Sequence, residues 1–493
     1  MHKRGFVLLL GVVSYAAYLP SRRIEKKAIA SANQWFSPGL RGLARGHRTM
    51  AGWDEDSITM SVEAARMCLG GHDRSAVDSL IFASTTAPFA DRLNASVVAS
   101  ALTLDEGLNA EDAGGSQRAG TSALISGLRA LKSGEVNRAL VVAGELRSAK
   151  VASVQELQFG DGAAAIMVGS GEDVVAELVA SHSMTSDFVD HFRSAGERFD
   201  YSWEDRWIRD EGLAKIVPKA IEGALGKADM SGEDIDAFIM PHAMRGASVK
   251  IAKICGIPLG SVCDTLGEQC GNLGVAHPLL MLALALDEAK PGQNILVTGF
   301  GQGCDAIILR TTDRICKFAG RMQAVNMLSS GVNEDNYLKF LAFKGMLELE
   351  KGMRAEHDSK AALSTLYRRR DMITGLIGGQ CSACGTAQFP RSRTCASPNC
   401  GAVDTQKPYS FAEKQAKVLS WSADYLAYTP DPPQHYGVID FDGGGRFMAD
   451  FTDIEQGSID SGSRVRMVFR IKGFDEKRGF RKYFWKATLV AEE

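Results

Sequence analysis

Hydrophobic positions along this chain change texture twice. From residue 1 to about 315, short apolar runs such as Val77-Asp78-Ser79-Leu80-Ile81-Phe82-Ala83 and Leu140-Val141-Val142-Ala143 alternate with longer stretches of helical spacing. Such runs read as buried strands, and their alternation with helices predicts an α/β fold of mainly parallel sheets covered by helices. The order also repeats. Ile235-Asp236-Ala237-Phe238-Ile239-Met240-Pro241 echoes the first run, Leu296-Val297-Thr298-Gly299 echoes the second, and Cys270-Gly271-Asn272 echoes Gly115-Ser116-Gln117 before the following helix. Two copies of one unit are expected, 1–168 and 169–315, with Gln117 and Asn272 at equivalent helix starts in a single site.

Beyond the repeat, 316–378 is polar and charge-rich with helical spacing, including Tyr337, Leu338, Phe340, Leu341 and Phe343 and again 361–366. It reads as a helical connector, and its Tyr367-Arg368-Arg369-Arg370-Asp371 cluster as a solvated face. From 407 to 493 alternating runs such as Val465-Arg466-Met467-Val468-Phe469-Arg470-Ile471 are separated by Gly/Asp turns, the pattern of a small β-barrel. The apolar run 6–13 leads directly into Tyr18-Leu19-Pro20 and reads as a buried first strand rather than a leader.

Charge narrows the partners. A formal net charge of -3 without a long Lys/Arg run gives no reason to expect nucleic acid or an anionic membrane, and no segment has the roughly 18 to 20 apolar residues of a membrane span. Six of the ten cysteines are scattered without a framework spacing, as for reduced thiols in a cytoplasmic protein. The other four are the pairs Cys381/Cys384 and Cys395/Cys400, separated by ten residues in 379–406. That spacing predicts a closed, structural four-thiolate zinc ribbon.

Several motifs together resemble one family. Gly114-Gly115-Ser116-Gln117-Arg118-Ala119-Gly120-Thr121 is similar to the Ala-Cys-Lys-Ala-Gly-Thr signature of hydroxymethylglutaryl-CoA synthases, with Gln117 in place of the cysteine. In the family's order stand also Phe159-Gly160-Asp161-Gly162-Ala163, Pro241-His242-Ala243, Gly271-Asn272-Leu273-Gly274 and Gly299-Phe300-Gly301-Gln302-Gly303. The chain thus resembles the thiolase superfamily, in particular hydroxymethylglutaryl-CoA synthase and ketoacyl-acyl-carrier-protein synthase III, fused to a zinc ribbon and an OB fold. The resemblance implies a duplicated five-layered α-β-α-β-α core, a homodimer, and coenzyme A as substrate or product. His242 and Asn272 match the residues that support the thioester in the family, and Gly303 matches the backbone amide turned toward the site. Arg118, Arg245 and Lys250 lie beside these elements, as CoA-phosphate partners or as ordinary surface charge.

The departures shape the expected chemistry. Thr85 stands where the synthases carry an acid/base glutamate, so synthesis of hydroxymethylglutaryl-CoA is not expected. A covalent route requires another nucleophile: Ser116, which otherwise caps the helix, or Cys270 or Cys304, otherwise small buried hydrophobes. The resemblance implies a CoA-thioester carbon-carbon bond enzyme, a C-acyltransferase of Claisen or retro-Claisen type on a 3-oxoacyl substrate. Its alternatives are a non-covalent retro-aldol lyase or decarboxylase, and a non-catalytic acyl-CoA-binding scaffold. Gln at the nucleophile position occurs in decarboxylating ketosynthases, and thiolase-fold aldolases that pair with zinc-ribbon plus OB partners dispense with the thiol.

Overall fold

A computed structural model describes residues 9–356, 360 and 362–490. Positions 6–8 of the N-terminal apolar run and position 361 lie outside the described residues. The chain divides into two compact units. The first takes in residues up to Ala51, Asp56–Ser96 and Leu104–Phe340, and the second Gly52–Glu55, Val97–Thr103 and Leu341–Glu493.

The first unit is built on a nine-stranded sheet. From the central strand Leu10–Tyr18 the order runs outward through Asp161–Ser170, Arg138–Leu146, Ser79–Ala83 and Asn109–Ala113. On the other side it runs through Ala176–Thr185, Gly303–Thr311, Asn294–Phe300 and Ala237–Ile239. The inner pairs of both halves are antiparallel and only the outer pairs are parallel. The expected duplication is therefore seen in the pairing pattern itself, while the expectation of mainly parallel sheet is corrected. Asn294–Phe300 and Gly303–Thr311 are joined by only two residues, a link that permits only antiparallel pairing.

The halves join through one short ladder, Gly11 opposite Glu177 and Val12 opposite Ala176. A Cβ at Gly11 would lie 2.0 Å from the Ala176 carbonyl oxygen, so the crossing needs glycine. Helices Ala119–Ser133 and His277–Glu288 pack with strands of both halves in one continuous core, while Ala214–Ala228 and Ala247–Ile254 cover the outer face of the second half. The sequence HPLLMLALALDE explains the second central helix: apolar on almost every side, it is buried through Leu279–Ala283. The predicted connector begins later than expected. Gln323–Ser329 packs on Leu10–Tyr18, and Val332–Glu334 forms a parallel strand with Arg22–Glu25, all within the first unit.

His277 opens its helix and staples the loop before it. Its Nδ1 accepts from the Leu273 amide at 3.0 Å and its Nε2 donates to the Thr265 carbonyl at 3.0 Å. Both nitrogens are thus used by the neutral ring, and burial pushes its pKa down to about 4.

In the second unit, Ile377–Cys381 pairs with Ala387–Gln388 and Gln406–Ser410 in a small ribbon. Five antiparallel strands follow, in the order Arg446–Asp450, Gln434–Phe441, Gln415–Asp424, Arg464–Asp475, Phe480–Leu489. Their alternating inward residues build a core around Val418, Ile439, Met467, Phe469 and Trp485, whose indole donates to the Thr374 carbonyl at 2.7 Å. A buried polar cluster belongs to the same unit. Lys486 donates to Asp54 at 2.7 Å and lies 4.1 Å from the Trp53 ring centroid, while Arg470 is shared by Glu55 and Asp453.

Two predictions follow from these buried charges. Lys486→Ala strands the Asp54 carboxylate and is expected to destabilise the second unit by about 3–5 kcal/mol; denaturant unfolding that matches the wild type would contradict this. The unfolded chain protonates His277 near its ordinary 6.5, whereas the folded chain does so only near 4. Below pH 6.5 the unfolded state therefore binds more protons, so this contribution is intact above 6.5 and lost as pH falls toward 4, reaching about 3 kcal/mol. Melting temperature followed from pH 7 to 4.5 should fall less steeply in His277→Asn than in the wild type.

Candidate active site

The loop 114–118 approaches the first central helix with Gly115 at φ +79°, a left-handed turn that glycine adopts without strain. Gln117 folds inward there. Its Nε2 donates to Thr85 Oγ1 at 3.2 Å, and that hydroxyl lies 3.1 Å from both oxygens of Glu145. Glu145 is fully buried, and burial raises its carboxyl pKa against the opposing hydrogen bonds from Thr85. Gln117 Oε1 has no hydrogen-bond partner among the described residues, and a Cβ at Gly274 would stand 2.6 Å from it. Ser116 Oγ donates to the Gly301 carbonyl at 2.8 Å, so no base holds this hydroxyl as an activated nucleophile.

Asn272 comes from the second half. Its amide donates to Gln158 O at 2.7 Å and its carbonyl accepts from Gly160 at 2.9 Å, which ties the loop to the Phe159-Gly160 motif. Asn272 Oδ1 accepts from the Gly274 amide at 2.7 Å and faces Arg147 at 3.5 Å, leaving Nδ2 as the donor for a ligand. Arg147 is fixed over the Phe159 ring at 3.5 Å and by Asp200 at 3.1 Å. His242 follows strand Ala237–Ile239, and its Nδ1 accepts from the Met244 amide at 3.0 Å. The proton therefore sits on Nε2. Burial pushes this imidazole down to about 4 against the pull of Asp190 and Asp205, so it is a neutral donor at physiological pH.

Two cavities flank these groups. One of about 530 Å³ is lined by His242, Asn272, Lys26, Arg45, Arg245 and Glu268. The other, about 790 Å³, is lined by Thr85, Ser116, Gln117, His191, Arg193 and Gly301. Asn272 and His242 thus meet in one cavity, and Ser116 and Gln117 in the other.

Several expected residues have different roles. A Cβ at Gly303 would sit 2.0 Å from the Met184 carbonyl oxygen, whereas one at Gly301 would come within 3.1 Å of the Gln117 amide nitrogen. Arg118 lines the second cavity but donates to Met184 O, Asp305 and Thr185, an internal commitment that leaves little for a phosphate. Lys250 lies on an outer helix 3.5 Å from Asp210, apart from both cavities. Arg245 stays in the first cavity, mostly exposed and 3.4 Å from Glu268. Cys270 and Cys304 are fully buried and line neither cavity; burial pushes Cys270 up to about 12 and raises Cys304 as well. Cys263 lines the first cavity, but burial holds its thiol near 11, far from the thiolate form.

Glu145, Arg147 and the Asp190-His191 pair lie outside every sequence motif that points to the site. The legible signal for the first two is Glu145-Leu146-Arg147 continuing an otherwise apolar strand, since buried charge needs partners.

The four ribbon cysteines bring their sulfurs within 4.8 Å of one another, with Cys381–Cys400 at 3.9 Å and Cys384–Cys395 at 3.5 Å. A tetrahedron with zinc-sulfur bonds of about 2.3 Å has edges of about 3.8 Å, so the residues fit structural zinc. Among the described residues no helix is long and apolar enough to cross a membrane.

Comparison with known proteins agrees with this geometry. The model of the 3-oxoacyl-acyl-carrier-protein synthase III C-terminal domain matches residues 225–311. The ChsH2 rubredoxin-like zinc ribbon matches 375–404 and the ChsH2 C-terminal OB fold 409–470. Hydroxymethylglutaryl-CoA synthase of Methanosarcina mazei is 28% identical over 349 residues, covering 69% of this chain and 100% of that protein. The Archaeoglobus fulgidus enzyme of that name is 30% identical over 317 residues, covering 62% of this chain and 90% of its own length. Among solved structures, an HMG-CoA synthase complexed with CoA superposes with a TM-score of 0.60 at 16% identity, covering 70% of this chain and 92% of that one. The 3-oxoacyl-(acyl carrier protein) synthase III of Pseudomonas aeruginosa gives 0.54 at 21% identity, covering 62% and 98%. With a duplicated core, a site shared by its two halves and these relatives, the chain belongs to the hydroxymethylglutaryl-CoA synthase family of the thiolase superfamily and carries a zinc ribbon and OB fold of the ChsH2 type.

Proposed function

We propose that this protein cleaves a carbon-carbon bond beside the carbonyl of a CoA thioester without forming an acyl-enzyme, in the manner of a retro-aldol lyase acting on a 3-hydroxyacyl thioester. The observation that carries this reading is the Gln117–Thr85–Glu145 chain at the first helix start. An amide tied to a buried carboxylate through a hydroxyl cannot act as a nucleophile, and the cysteines nearest the site are protonated. A C-acyltransferase with a covalent intermediate lacks its nucleophile in this arrangement.

What remains is a pair of neutral donors. The His242 Nε2–H and the Asn272 amide line one cavity and supply the two hydrogen bonds that a thioester enolate needs. The exposed guanidiniums of Arg45 and Arg245 on that cavity suit the phosphates of CoA. Homodimerisation is part of the proposal: among the described residues the edge strand Asn109–Ala113 pairs only with Ser79–Ala83, and its outer side offers a ladder to a second copy.

The test is turnover of a panel of 3-hydroxyacyl-CoA and 3-oxoacyl-CoA thioesters, with and without free CoA. The 3-hydroxyacyl esters should yield a carbonyl product and a shortened acyl-CoA independently of added CoA. His242→Ala and Asn272→Ala should each lower the rate by about 100 to 1000-fold with ester binding retained. Cleavage of 3-oxoacyl esters only when CoA is supplied would favour the acyltransferase reading, and tight binding without any turnover would favour a scaffold.

A further inference from the structure

The enolate hole needs one further component, a group that moves the proton. Glu145 does not touch a ligand: it is fully buried, lines neither cavity and is engaged by Thr85 and Thr86. The second cavity, however, carries an ordered histidine-carboxylate pair. His191 Nδ1 lies 2.9 Å from Asp190 Oδ2, and Asp190 Oδ1 accepts from Gln302 Nε2 at 2.9 Å. Both carboxylate oxygens are thereby fixed, Nδ1 of His191 carries its proton toward Asp190, and Nε2 makes no hydrogen bond among the described residues.

The supports of this pair are themselves unusual. Gln302 adopts φ +48°, a left-handed conformation that costs a non-glycine residue on the order of 1 kcal/mol, and it is the residue whose amide holds Asp190. The hairpin carrying the pair, His191–Phe192 against Tyr201–Ser202, is anchored through Asp200, which takes Arg193 at 2.8 Å and Arg147 at 3.1 Å. Arg147 is also the residue beside Asn272 Oδ1. Phe300 packs edge-on to the His242 ring at 6.3 Å between centroids, and the next two residues, Gly301 and Gln302, line the cavity that holds His191, so the two cavities adjoin at this turn.

We propose that His191, held by Asp190 and Gln302, is the catalytic acid–base of this site. The step, which rests on the retro-aldol reading, balances without a co-reactant. Nε2 of His191 takes the proton of the substrate 3-hydroxyl, the oxygen's electrons form the carbonyl, and the bond between C2 and C3 breaks. Its electron pair enters the thioester as an enolate held by His242 and Asn272. After the aldehyde or ketone departs, His191 returns the same proton to C2 and the thioester carbonyl re-forms. One residue serves both transfers because the proton leaves the oxygen on C3 and arrives on C2, the adjacent carbon.

A partial reaction isolates this residue from the choice of acyl chain. Acetyl-CoA in deuterium oxide should exchange its methyl protons on the wild-type protein, followed by proton NMR. His191→Gln should slow exchange by about 100-fold or more while binding acetyl-CoA with unchanged affinity, Asp190→Asn should also slow it, and imidazole should restore exchange to His191→Ala. If the histidine variant melts early, the isosteric Asp190→Asn carries the test. Exchange by both variants at the wild-type rate would overturn the assignment of His191 and leave the enolate site standing. A wild type that neither exchanges acetyl-CoA nor cleaves any member of the thioester panel would overturn the functional reading, and the assignment with it.

Discussion

Backbone packed directly on backbone across the junction of the two halves is the constraint on which this architecture depends. A Cβ at Gly120 would stand 2.3 Å from the Val275 carbonyl oxygen, one at Gly160 2.1 Å from Cys270 O, and one at Gly299 2.2 Å from Thr121 Oγ1. These contacts leave no room for a side chain on the glycine of each pair and set the helix start at Gln117, the loop at Asn272 and the strand turn at Gly301 against one another. The loop strings rich in glycine are therefore structural before they are chemical. They hold three segments from distant parts of the chain in direct contact.

Within that frame the electrostatics are organised around neutrality. His242 and His277 are both uncharged through burial, yet only His242 has a donor to spare, because His277 spends both nitrogens on the loop that carries Asn272. The charges nearest these donors are held by partners: Arg147 by Asp200 beside Asn272, Arg118 by Asp305, and Glu145 behind Thr85. Neutral donors backed by paired charges suit an enolate, since they stabilise developing negative charge without a strong counter-ion that would hold the substrate's ground state equally well.

The duplication, the ribbon cysteines and the placement of His242 and Asn272 were legible because each rests on a short local pattern: a repeated strand, a ligand spacing, a strand end before a helix. Pairing sense was not, because two strands separated by helices and two strands separated by Gly301-Gln302 carry similar apolar runs, and only the length of the link distinguishes them. Asp190-His191 gave no signal at all. An adjacent acid and histidine in a polar stretch are commonplace, and what sets this pair apart is Gln302, more than a hundred residues away.

The central claim is that carbon-carbon bond chemistry here proceeds beside Gln117 with no acyl-enzyme. The most direct test is the intact mass of the protein, quenched during steady turnover of a 3-hydroxyacyl-CoA ester and compared with a Gln117→Cys variant. The account predicts that the wild type keeps its unmodified mass while product accumulates; an acyl adduct that forms and decays at the rate of turnover would contradict it.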